Sequence, residues 1–290
     1  MNGALAVSRY TLLELSRRRI LLVFAIVGAL GIITLGIGLK LLYEVAAANS
    51  FGSRRVDPAL LNRFLELLFV TYVVQALGLF ALLIAYAIGM TAIYHDLESG
   101  AAVSIFSKPV TRLAFAAGKV AAAVAGLLVV VGLLAVETRI VMLLFGGGLE
   151  NGLTGEVLAV VGNMLVVMLL VLALSTWMNN IIAAVVTFIY SNVVEGIVIL
   201  IHRFADQGVI GNDTVRAVFD VLYWLVPHPL VSSAAGDLAR AQIQMSGGPV
   251  TNQVTASIPP SSGAGDIAWW AVTVVVFCAL LYYSVRRRQV

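Results

Sequence analysis

Charge is what this sequence has least of. Charged side chains make up 11% of its 290 residues and apolar ones 61%, whereas ordinary soluble domains carry about 25% charged residues. A water-soluble globular domain is excluded on that ground, and the mean hydropathy of +1.01 points the same way. Cysteine is scarcer still. Cys278 is the only one and sits inside an apolar run, so no intramolecular disulfide or cysteine-rich metal site can form. The phosphate-loop pattern G-x-x-x-x-G-K-[ST] is missing, and the chain is therefore not expected to bind and hydrolyse ATP itself. Neither H-E-x-x-H nor G-x-S-x-G occurs, and His95, His202 and His228 lie far apart in sequence. No motif with a mechanism supports an intramembrane enzyme or a metal site. Alternating strands of the kind that build a membrane barrel are also absent.

What is present is a series of long apolar runs. A helix rises about 1.5 Å per residue and the hydrocarbon layer is about 30 Å thick, so a span needs roughly 20 mostly apolar residues. Six segments qualify: 20–43, 69–93, 120–145, 157–177, 181–201 and 267–285. The expected fold is all-α, a single polytopic membrane domain over residues 1–290 with six transmembrane helices. The first run is longer than the apolar core of a signal peptide, about 7 to 15 residues, and is read as a retained span. Ala4 to Ser16 can be drawn as an interfacial helix with Ala4, Leu5, Val7, Leu12 and Leu15 on one broad side, followed by Arg17, Arg18 and Arg19, which suit anionic headgroups.

Basic residues set the expected orientation. With both termini cytoplasmic, the inner segments (1–19, 94–119, 178–180 and 286–290) hold ten Lys or Arg in 53 positions, against three in 36 for the outer segments 44–68 and 146–156. That bias favours cytoplasmic ends in a cell membrane. Residues 202–266 then form an extracytoplasmic loop. Within it, Val218 to Val231 reads VFDVLYWLVPHPLV, too short and Pro-broken to cross yet too apolar to float in water, so short re-entrant or surface helices are expected before the last span.

Between the second and third runs lies a hydrophilic island, Tyr94 to Lys119, reading YHDLESGAAVSIFSKPVTRLAFAAGK. Ile105 and Phe106 give it an apolar knob inside a charged frame, the form a short helix needs if it is to enter the surface of a partner. Pro109 disfavours helical geometry at Lys108 and can start the next helix, making a corner into span three. The order of elements resembles that of permease subunits of ABC transporters of the type-2, exporter-like class. The specific likeness lies in Asp96 and Glu98, then Gly100, then Ser107-Lys108-Pro109-Val110-Thr111-Arg112, then Gly118-Lys119. The YWLVPHPL insert is similar to one in the subgroup that includes permeases linked to nitrous oxide reductase maturation. The resemblance implies a transport subunit, an exporter, working as a homodimer or with a similar permease. It implies a separate ATP-binding subunit that carries the ATP and Mg, leaving this chain without a cofactor of its own. It also implies a coupling role for Asp96, Glu98, Gly100, Ile105, Phe106, Lys108, Pro109 and Arg112. Membrane lipids are the other expected partner, and nucleic acid is not one. An ion-coupled secondary transporter or channel is the alternative, although neither an inverted repeat nor a broken central helix is visible in the sequence.

Three ionisable residues fall inside spans. By helical rise, Glu137 and Arg139 lie about 26 and 28 Å up span three and Glu195 about 21 Å up span five. Such residues are costly at mid-membrane and face interiors or cavities. Arg139 is expected to pair with Glu195 and hold the outer gate; the three could also line a substrate path. Met164 and Met168, one turn apart, are read as packing residues.

Overall fold

In hydrocarbon every backbone N–H and C=O has to be satisfied within its own segment, so runs of Leu, Val, Ile and Ala of this length fold as helices. The computed structural model describes residues 3–49, 58–98, 110–145, 150–206, 213–232 and 261–287, and among these it is helical with no strand. The helices are α1 (Gly3–Ser16), α2 (Arg19–Asn49), α3 (Pro58–Thr91), α4 (Tyr94–Glu98), α5 (Arg112–Phe145), α6 (Glu150–Leu174), α7 (Asn180–Ile189), α8 (Glu195–Asp206), α9 (Asp213–Leu225) and α10 (Ala264–Arg287). A single π-helical turn, Tyr190–Val194, joins α7 to α8. Six stretches are long and apolar enough to cross a membrane: Arg19–Leu42, Leu68–Asp96, Arg112–Leu144, Thr154–Leu174, Asn180–His202 and Ala264–Arg287. The protein is a multi-pass membrane protein.

Helix α3 is the hub. It packs against α2, α5, α6 and α7, while α10 closes on α6 and α5. The core is built from Ile32 of α2, Leu77, Ile84 and Ile88 of α3, Leu127 of α5, Met168 and Leu172 of α6 and Leu281 of α10. Met168 is fully buried and Met164 packs against the same cluster, which is the packing role expected of them. Glycine lets α3 and α6 approach closely: a Cβ on Gly89 would lie 2.9 Å from the Val171 Cβ and 3.1 Å from the Met168 carbonyl. The fifth span is peripheral, with 6% of its apolar window buried inside the protein against 44% for the second and fourth.

Helix α5 begins at Arg112, shortly after Pro109 where a helix start is expected and ahead of the apolar run that opens at Val120, capped by Thr111, whose Oγ1 accepts from the Ala114 N–H at 3.1 Å. The 112–119 part of the expected 94–119 loop is therefore helical, and it packs on α1 with Phe115, Ala116 and Lys119 buried. One expectation needs correction. The insert before the last span does not hold paired short helices over Val218 to Val231. One helix ends at Leu225, and Val226 to Ser232 runs without helical structure. Pro227 and Pro229 remove backbone donors there, and side chains take over the pairing. Asn163 receives the Leu230 N–H at 2.7 Å and donates to its carbonyl at 3.0 Å, and Val231 exchanges bonds with Ser262 at 2.8 and 2.9 Å.

Candidate coupling site and intramembrane polar cluster

Helix α1 is a separate element. A turn at Arg17 and Arg18, closed by bonds back to Glu14 and Leu15, divides it from α2. It lies along the base of α5, burying Val7, Thr11 and Leu15. The buried stripe therefore follows i, i+4, i+8 spacing. Of the apolar residues expected to share one broad side of α1, Val7 and Leu15 belong to this stripe, and Leu5 is 60% exposed. Gly118 makes the approach possible: a Cβ there would stand 2.6 Å from the Ala4 carbonyl oxygen and 2.8 Å from the Val7 Cβ. Phe115, Ala116, Val7 and Val285 of α10 form a small second core at this end.

A charged knot sits beneath α1. Lys119 has no exposed side-chain surface, and its Nζ lies 2.5 Å from Asp96 Oδ2 and 3.9 Å from Glu14 Oε2. Asp96 is itself 2% exposed. Glu14 also pairs with Arg18 one turn along α1. The rings of Tyr10 and Phe115 flank the ammonium at 5.9 and 5.8 Å, within cation–π range. One lysine of the third span thus ties together α1, α4 and α5. Arg112, at the start of α5, donates to the Arg286 carbonyl at 2.5 Å and adds the end of α10 to the same corner.

Of the residues expected to couple to a partner, Asp96, Glu98 and Arg112 are thereby placed. Glu98 is exposed at the end of α4. Gly100, Ile105, Phe106, Lys108 and Pro109 lie outside the described residues. The sequence marks Lys119 only as a polar island residue, and what it misses is the burial. Signals were available in Gly118 beside it and in the acidic residues at positions 14 and 96.

No protein-family model matches this chain, and no curated protein matches its sequence. The geometry of the site carries its functional reading.

At the opposite end of the bundle a second polar cluster forms around the Pro-broken strap. His228 Nε2 lies 3.1 Å from Asp266 Oδ1, and Asp266 Oδ2 accepts the Gly263 N–H at 2.7 Å at the start of α10. The Tyr223 ring stacks between those of His202 and His228, with centroids 4.1 and 4.2 Å apart, and His202 meets Asp220 at 3.1 Å. Trp270 donates to the Gly162 carbonyl at 3.0 Å. These contacts bind α8, α9, the strap and α10 into one cap on α6.

Glu195 lies directly beneath this cap. With Asn163, His228, Trp270 and Thr273 it lines a cavity of about 40 Å³, enough for one or two waters among polar partners. It is the first residue after the π-helical turn, a local over-winding that often marks functional sites. The break displaces the helix face on which Glu195 would otherwise have emerged. Beside it, Leu170, Val186, Tyr190, Trp269 and Phe277 border an apolar cavity of about 470 Å³.

The expected pair does not form: among the described residues, no ion pair joins Arg139 to Glu195. Depth alone had placed them together, whereas Glu195 is turned toward α6 and α10 and Arg139 belongs to α5. Glu137 is half-buried, and its Oε1 has no hydrogen-bond partner among the described residues. Asn163 and the His228–Asp266 pair carry the polar architecture instead, and none of these was singled out from sequence.

Proposed function

We propose that this chain is the transmembrane subunit of an ATP-driven ABC transporter, an exporter, coupled to a separate ATPase at the α1, α4 and α5 corner. The observation that carries the reading is the buried Lys119–Asp96–Glu14 knot. A segment that transmits force from a motor to a membrane bundle has to be joined rigidly to the span it moves, because a compliant joint dissipates the displacement. Lys119 makes that joint by fixing the element before the 99–109 segment to the helix after it. Thr111 and Arg112 anchor the return. Both termini and this corner face the cytoplasm in this reading, a second copy of the chain or a similar permease completes the path, and the apolar cavity beside Tyr190 suits amphiphilic substrates.

The test is co-purification and coupled turnover. Changing Ile105 and Phe106 together to Asp is expected to leave the protein in the membrane while abolishing ATPase binding and substrate-stimulated ATP hydrolysis. Unaltered binding and transport in that double variant would remove the segment from the mechanism. A second reading, an ion-coupled transporter, draws on Glu195 at a helix break within a membrane span. Transport in proteoliposomes that persists without ATP and collapses with an ionophore would favour it.

A further inference from the structure

An apolar groove of about 740 Å³ opens between α1, α2 and α5. Leu5, Leu12 and Leu13 of α1 form one wall, Leu22 and Ala25 of α2 another, and Val129 of α5 closes it. Leucines that α1 does not bury against α5 therefore line this groove. Leu5 and Leu13 are 60% and 52% exposed and border this space. Arg9 is the charged residue among those lining the groove, and it is exposed. Arg17 follows the lining residue Ser16, Arg19 stands two before the lining residue Leu21, and both are exposed. Among the described residues no carboxylate lies within ion-pair distance of these three. The acidic side chain of α1, Glu14, is taken by Arg18 and Lys119. An acyl-chain-sized apolar slot beneath uncompensated arginines, at the end of a membrane helix, is complementary to an anionic lipid.

We propose that this groove is a binding site for one anionic glycerophospholipid, with an acyl chain between α1, α2 and α5 and the phosphate on Arg9, Arg17 and Arg19. The lipid completes the packing of α1 on the side that Gly118 does not key. The inference rests on the membrane reading alone and is independent of the transport reaction. A neutral lipid could enter the slot but would leave the arginines unmatched, so headgroup charge decides occupancy.

Native mass spectrometry of the detergent-purified full chain, titrated with dioleoylphosphatidylglycerol or dioleoylphosphatidylcholine, tests this. The wild type is expected to retain phosphatidylglycerol at least tenfold better than phosphatidylcholine and to gain thermal stability from it. An Arg9→Gln, Arg17→Gln, Arg19→Gln variant is expected to lose the preference, by roughly fivefold per arginine. All three side chains are exposed and Arg18 is kept, so the change removes no buried contact. Ala25→Trp, which fills the slot, is expected to weaken retention of both lipids, and glycerol 1-phosphate is not expected to displace bound lipid. Equal retention of the two lipids by the wild type, or a preference that survives the arginine changes, would overturn the proposal. Displacement by glycerol 1-phosphate alone would reduce the site to a phosphate contact. Conversion of a dimer to a monomer by Ala25→Trp with lipid retention unchanged would assign the groove to a second copy.

Discussion

A lysine with no exposed side-chain surface is stable only if its charge is met, and Lys119 is met from two sides. Asp96 at 2.5 Å supplies the close partner and Glu14 at 3.9 Å a longer one. Removing one member of a buried pair leaves a desolvated charge and costs about 3–5 kcal/mol, whereas replacing both with apolar groups is often neutral. Asp96→Leu and Lys119→Leu are each expected to lower the melting temperature of the purified protein sharply, with the double change recovering most of the loss. Equal loss in the double variant would show that the knot is not a closed pair. Glu195 and Arg139 give the opposite expectation. Because no ion pair joins them among the described residues, Arg139→Leu and Glu195→Leu should be additive in a double-mutant cycle of transport or stability, within about 0.5 kcal/mol. A coupling above about 1 kcal/mol would restore the direct pair.

The docking of α1 on α5 turns on a single missing methyl group. The Cβ that any other residue would place at position 118 meets a backbone carbonyl at 2.6 Å, and a carbonyl cannot rotate aside as a side-chain tip can. Gly118→Val is therefore expected to lift α1 away. Gly3→Cys with Ala114→Cys in a Cys278→Ala background reports on this, since a Cβ on Gly3 stands 3.7 Å from the Ala114 Cβ, within disulfide range. The pair should cross-link when Gly118 is in place and fail to do so when the Gly118→Val change is added. Gly132→Val, where among the described residues no atom from outside the helix's own backbone lies within 4 Å of a new Cβ, should leave the cross-link intact. This element also marks how far the sequence could be read. The spans were legible because hydrophobic length alone determines them. The burial of Lys119 was not: it looks solvated in a one-dimensional reading, and its cover comes from Glu14 of α1 and Asp96 of α4. The buried stripe of α1 runs through Val7, Thr11 and Leu15, and Val7 is the member that meets position 118. The surroundings of Glu195 were likewise hidden, since rise per residue gives depth but not the direction a side chain takes around the helix, least of all past a π-helical turn.

At the scale of the molecule, six stretches are long and apolar enough to cross, and in the proposed topology this even number puts both arginine-rich ends on one side of the bilayer, where the bond from Arg112 to the Arg286 carbonyl joins the start of α5 to the end of α10. The cap of His228, Asp266 and Trp270 occupies the other. Segments rich in Lys and Arg remain cytoplasmic because they resist translocation, so the arginine-rich side should face inward and the cap outward. The coupling reading depends on this, as an ATPase can reach the Lys119 corner only from the cytoplasm. Single cysteines at Ser16 and Gln289, in a Cys278→Ala background, are expected to react with a membrane-impermeant maleimide only after the inner face is opened. A cysteine at Thr251 should react in intact cells. Labelling of position 251 only from the inside, with positions 16 and 289 reactive from outside, would invert the protein, expose the Lys119 corner to a compartment without ATP and remove the motor from the mechanism.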